Sequence, residues 1–218
     1  MNKLLILLIA TLWSAACAGT EPSISRVLGS IDVSADRAVG DVTTVNGGIE
    51  IGAHTVAARV ETVNGHVRLG EGARADSLET VNGGITLEAG AQVAGKVETV
   101  NGSLRLAPGA EVGAGLRNVN GDVRVDGAHV VGVLRTSTGS IETANARLDG
   151  GILVDENHSN WGLFTWGTPR VVIGPGTVIG GALKFQRKVN LFVSDRASVA
   201  GPIEGAVAVT YSGDRAPR

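Results

Sequence analysis

Glu61, Glu79 and Glu98 are the residues of this 218-residue chain whose type and spacing come nearest to chemistry. They stand 18 and 19 residues apart, so a chain that coils with that period stacks them as strand neighbours at ~5 Å. Retaining glycosidases hold their two carboxyl groups at ~5–5.5 Å. Catalysis also needs one carboxyl buried enough to keep its proton near neutral pH. Nothing in the surrounding pattern supplies that burial. Thr43 precedes the three acids in the same column and Arg117 and Arg135 follow them, as in a solvated charge ladder.

Metal and acyl-transfer chemistry find less support. His54 and His129 are read as members of one corner column four coils apart, ~19 Å, too far to share an ion. His66 and His158 have no obvious ligand partners, so no metal and no cofactor is expected. Ile173 and Ile179 are six residues apart, as in hexapeptide-repeat acyltransferases, but the main array lacks that period and no catalytic His stands out. Thr44, Thr62, Thr80 and Thr99, continued by Asn118 and Thr136, form a column that suits either a flat ice-binding face or a buried turn lining; the latter is favoured. Trp161, Phe164 and Trp166 stand out in a chain with 3% aromatics, as an exposed patch for a glycan or protein partner or as a cover folded against a flank.

The element that must position all of these is a repeat. Val45-Asn46-Gly47-Gly48-Ile49-Glu50-Ile51 returns around Asn64, Asn82, Asn101 and Asn120, with degenerate copies around Leu28 and Thr138. Apolar residues at i and i+2 around a polar one mark a strand with one buried face. Asn-Gly before the strand supplies a bend, since Gly accepts positive φ and Asn tolerates it. A two-residue hairpin is the competing reading of Asn-Gly. It predicts antiparallel strands every ten residues or so, whereas here each copy is self-similar as a whole and carries one Asn-Gly. The expected fold is therefore all-β: a single-stranded right-handed parallel β-helix, or β-solenoid, with about 18–19 residues per coil. Ile31, Ile49, Val67, Ile85, Leu104, Val123 and Ile141 should stack as one core column, and Val60, Leu78, Val97, Leu116 and Leu134 should fill a third wall. Gly52-Ala53, Gly72-Ala73, Gly90-Ala91, Gly109-Ala110 and Gly127-Ala128 mark a second corner. The amides of Asn46, Asn64, Asn82, Asn101 and Asn120 should form a structural ladder.

Around this array, residues 1–18 read as a signal peptide: Lys3, an apolar run from Leu4 to Leu12, and the small residues Ser14-Ala15-Ala16. Cys17, the only cysteine, is a candidate lipidation site; ordinary cleavage after Ala18 is the alternative. Residues 19–26 are expected as a tether, 27–211 as the solenoid with an irregular aromatic insertion at 155–169, and 212–218 as a disordered tail. The net charge of −2 gives no basis for nucleic-acid binding.

The Thr-Val-Asn-Gly-x-Ile-x-Ile repeats over residues 27–143 resemble a bacterial adhesin-like family of envelope β-solenoids. Val172-Ile173-Gly174-Pro175-Gly176-Thr177-Val178-Ile179-Gly180-Gly181 and Ala197 to Ile203 are similar to bactofilins, polymer-forming cytoskeletal proteins whose β-helices associate end to end. Bactofilins of the cytosol lack a cleaved leader, which departs from this chain. The resemblance implies a non-enzymatic, exported structural or adhesin-like protein of the periplasm or outer membrane, touching the membrane only through an N-terminal lipid. It also implies self-association, as a homo-oligomer or polymer, or an envelope glycan or protein partner. The alternative is a polysaccharide-binding or polysaccharide-cleaving β-helix.

Overall fold

A computed structural model describes residues 21–156 and 167–217. Every strand pairing in it is parallel, so the Asn-Gly hairpin alternative is excluded and the chain is a β-solenoid with no helix among the described residues. Each coil has three walls. The first is a ten-stranded sheet that begins with Ile31–Val33 and ends with Ala208–Tyr211. The second and third belong to one 17-stranded sheet, because the strands Val56–Asn64 and Arg74–Asn82 run straight through the corner that separates these walls in other coils. Registers follow the sequence period: Ile49 stacks on Ile31, Val67 on Ile49 and Ile85 on Val67.

Alternation within each short strand turns this register into a core. In Ile85–Leu87 the outer two residues are fully buried and Thr86 faces out, and Leu104–Leu106 repeats the arrangement one coil on. The first-wall column from Ile31 to Ile141 and the third-wall column from Val60 to Leu134 are both fully buried, as expected. Each large aliphatic contributes roughly 1.5–3 kcal/mol by leaving water. A narrow prism of Ile, Leu, Val and Ala needs no aromatic core.

The two corners use glycine for different reasons. At the Asn corner, a Cβ on Gly65, Gly83 or Gly102 would lie 1.9, 1.9 or 2.0 Å from the carbonyl oxygen of the equivalent glycine one coil earlier. These three glycines do not have positive φ, so close stacking excludes a side chain there, whereas Gly121 at the same corner combines a φ of 125° with a Cβ position 2.3 Å from the Gly102 carbonyl oxygen. At the second corner, Gly72, Gly90, Gly109 and Gly127 do adopt positive φ, of 57–77°. Gly52 is not their equivalent, because it stacks beneath Gly70; the residue beneath Gly72 is His54, itself left-handed at φ 55°.

Two boundaries differ from expectation. The first strand is Ile24–Leu28, paired with Val42–Asn46, so the solenoid begins inside the expected tether. The C-terminal segment is not loose, because Asp214 pairs with Arg196 at 2.5 Å and the Pro217 carbonyl accepts a hydrogen bond from Arg170. Between these ends, the strands Ile152–Val154 and Arg170–Ile173 flank residues 155–169 as the expected insertion bounds have it, and Val171 resumes stacking on Ile141.

Candidate interaction surfaces

At the Asn corner each amide Nδ2 donates to the Oδ1 of the Asn one coil earlier: Asn64 to Asn46, Asn82 to Asn64, Asn101 to Asn82 and Asn120 to Asn101, all at 2.9 Å. Thr138 ends the series by donating to Asn120 Oδ1 at 2.6 Å. The Thr column two residues earlier faces inward and is buried. Thr62, Thr80 and Thr99 donate to the carbonyls of Gly47, Gly65 and Gly83 at 3.0, 3.0 and 2.8 Å, so the column lines the turn and offers no flat hydroxyl face to ice. Asn118 holds the next turn with bonds to the Gly102 and Gly121 carbonyls.

The outer face of the third wall carries the carboxylate column. Thr43, Glu61, Glu79, Glu98, Arg117 and Arg135 are in strand register, as the spacing implied. Glu98 pairs with Lys96 at 2.6 Å, which holds the ammonium pKa above its usual range, and Arg135 pairs with Asp155. These acids stand half-exposed on an open wall of parallel strands. Beside them runs a stripe of exposed valines, Val45, Val63, Val81 and Val100. Their place in the repeat was visible in the sequence; their outward orientation was not, because two adjacent residues, Val and Asn, both face solvent where the strand bends.

On the first wall Asp32, Glu50, Arg68, Thr86, Arg105, Arg124 and Glu142 form the other outward ladder. Arg124 Nη2 meets Glu142 at 2.5 Å, and His66 Nε2 lies 3.5 Å from Glu50. Further along, the C-terminal segment passes over this wall and encloses a groove of about 390 Å³, lined among others by Arg105, Arg124, Glu142, Arg170, Tyr211 and Arg215. Arg170 lies 4.4 Å above the Phe192 ring, and burial pushes the Tyr211 phenol pKa up. Arg170, Tyr211 and Arg215 could not be found from the repeat, since they reach the groove only through the insertion's register and the fold-back of the C-terminal segment.

The second wall corrects the histidine assignment. His129 stacks between Glu111 and Arg147, in a column two residues removed from that of His54. Its Nε2 is 2.8 Å from Asp149 and its Nδ1 3.7 Å from Glu111. The His129 hydrogen bond is the largest of the effects that lower the Asp149 pKa, and Arg147 at 2.9 Å adds to it. Among the described residues no three His, Cys, Asp or Glu converge as a metal set. Cys17, His158, Trp161, Phe164 and Trp166 lie outside the described residues.

Both ends of the solenoid are open among the described residues. In the first coil Val27 and Leu28 are 67% and 74% exposed; in the last, Val207 and Val209 are 88% and 51% exposed. A Cβ on Gly29, the first-coil equivalent of Gly47, would meet nothing within 4 Å, because no earlier coil among the described residues roofs it. Gly29 and Ile31 donate their N–H groups to Asn46 and Gly48 of the second coil, so by strand alternation Ser30 directs its N–H to the open edge. Comparison with protein-family models, with curated proteins and with solved structures finds no match.

Proposed function

We propose that this chain is a non-enzymatic structural protein of the bacterial envelope, exported by its leader, tethered by a lipid on Cys17, and able to self-associate through its coil ends. The carrying observation is the pair of open ends. Each presents the edge of a parallel strand that is paired on one side only among the described residues, with exposed Val or Leu side chains, and such edges recruit further strands unless blocked. The two ends are different surfaces, so contact between them is head to tail and propagates as a filament. The adhesin-like and bactofilin-like repeats support the same reading. Electron microscopy and sedimentation of the mature protein across concentrations should show rods that lengthen with concentration. Ser30→Pro, which removes an N–H at the open edge, should shorten them. A monomer at every concentration, unchanged by Ser30→Pro, overturns the proposal.

A second reading is favoured by one observation, the Arg105–Arg124–Arg170–Arg215 groove, whose guanidinium groups suit the carboxylates or phosphates of an anionic envelope polysaccharide. Salt-sensitive retention of the protein on such a polymer, lost in Arg105→Ala, supports it; equal retention of both proteins refutes it.

A further inference from the structure

The outward column of the third wall is electrically lopsided. Glu61, Glu79 and Glu98 occupy the third to fifth coils, and Arg117 and Arg135 the sixth and seventh. With one strand per coil, as on the ten-stranded first wall, the change of sign falls at mid-length. Stacked carboxylates at ~4.8 Å repel one another. Among the described residues Glu98 pairs with Lys96, which also feels the field of Glu79, and Arg135 pairs with Asp155, while Glu61, Glu79 and Arg117 make no ion pair within 4 Å.

We propose that this wall is a homodimer surface, on which a second copy of the chain docks face to face with its long axis reversed. A two-fold axis along the strand direction keeps each column facing its own kind and reverses the order of the coils. Glu98 then faces Arg117 of the second copy and Glu79 faces its Arg135, with every pair made twice. In the valine column the same operation sets Val100 against the half-buried Val119 of the second copy beside the axis, and farther out Val81 against Ser137 and Val63 against Asp155. Docking with the axes parallel places Glu against Glu and is disfavoured. The first wall lacks this property: reversal there opposes Arg105 to Arg124. In size, ten strands at ~4.8 Å by five residues at ~3.3 Å give about 800 Å² per copy, the area of an ordinary stable interface.

This dimer is closed and lateral, independent of the end-to-end contact, and forms equally in the Ser30→Pro background. The test is sedimentation equilibrium of the native chain, Glu79→Arg, Arg135→Glu, and an equimolar mixture of the two variants. Glu79→Arg sets a cation against Arg135 at two points per dimer and should weaken association roughly tenfold or more. Within one chain it inserts a cation between Glu61 and Glu98, so its thermal stability should equal or exceed the native value and misfolding cannot explain the loss. Mixing Glu79→Arg with Arg135→Glu recreates opposite charges at both points and should restore the dimer. Association should also fall with added salt. A native chain that forms no lateral dimer, a dimer unaffected by Glu79→Arg, or a mixture no tighter than either variant alone overturns the proposal.

Discussion

Replacing Gly83 by alanine tests the stacking argument most directly, because the two corners assign their glycines different jobs. A Cβ at Gly83 would sit 1.9 Å from the Gly65 carbonyl oxygen, 2.5 Å from its carbon and 3.1 Å from the His66 nitrogen, all backbone atoms that cannot rotate away. Restoring ordinary C···O contact of ~3.3 Å requires the coils to part locally by about 1.4 Å. That stretches the Gly65 N–H bond to the Asn82 carbonyl (3.1 Å), the Val67 N–H bond to the Gly84 carbonyl (3.0 Å) and the Asn82–Asn64 amide bond (2.9 Å) beyond hydrogen-bond range. At about 1 kcal/mol each, the loss is roughly 3 kcal/mol before any cost of opening the core beneath. Gly90→Ala is the control: its nearest neighbour would be 3.9 Å away, and only its φ of 67° resists a side chain, at about 1–2 kcal/mol. Asn82→Ala, which removes two exposed amide bonds, belongs near the control. Urea unfolding followed by far-ultraviolet circular dichroism measures all three, with the slope checked for loss of cooperativity between coils. If Gly83→Ala costs no more than Gly90→Ala, the spatial explanation of the Asn-Gly repeat is wrong.

Two further outcomes follow from the buried column and the second wall. Thr80→Val should destabilise by about 1 kcal/mol, because it deletes the bond to the Gly65 carbonyl, whereas Thr136→Val should be neutral or slightly stabilising, since the Thr136 hydroxyl is buried without a partner; thermal melts that rank the two the other way refute the inward assignment. The depressed pKa of Asp149 contributes stability that is complete above the ordinary carboxylate range near ~4 and is lost as pH falls through the folded-state value. Asp149→Asn should therefore melt lower than the native chain at neutral pH, with the gap closing under acid, and a gap that widens on acidification refutes the assignment.

The coil is legible in the repeat alone. An 18–19-residue period, a period-2 apolar pattern after each Asn-Gly and small residues at a second corner leave a chain little choice but to stack parallel strands. Ile49, Ile85 and Leu104 therefore landed in one buried column, and Asn46 to Asn120 in one amide ladder, as their spacing required. What each glycine is for emerges from the stacked coils, since Gly83 and Gly90 read alike as letters; one is confined by the coil before it and the other by its own φ. The stacking also decides which columns coincide. His54 and Gly72 share one although neither spelling suggests the other, while His129 falls outside it, because the Gly52-Ala53 pair stands two residues earlier in its coil than Gly127-Ala128 does in its own. Partnership across long sequence gaps was equally out of reach. Arg170 with Pro217 and Arg196 with Asp214 depend on how the final segment folds back over the first wall, which no repeat encodes. Periodicity fixes what repeats, namely the core and the backbone ladder. The surface is set by the residues that break the period, and only their stacking in three dimensions brings those residues together.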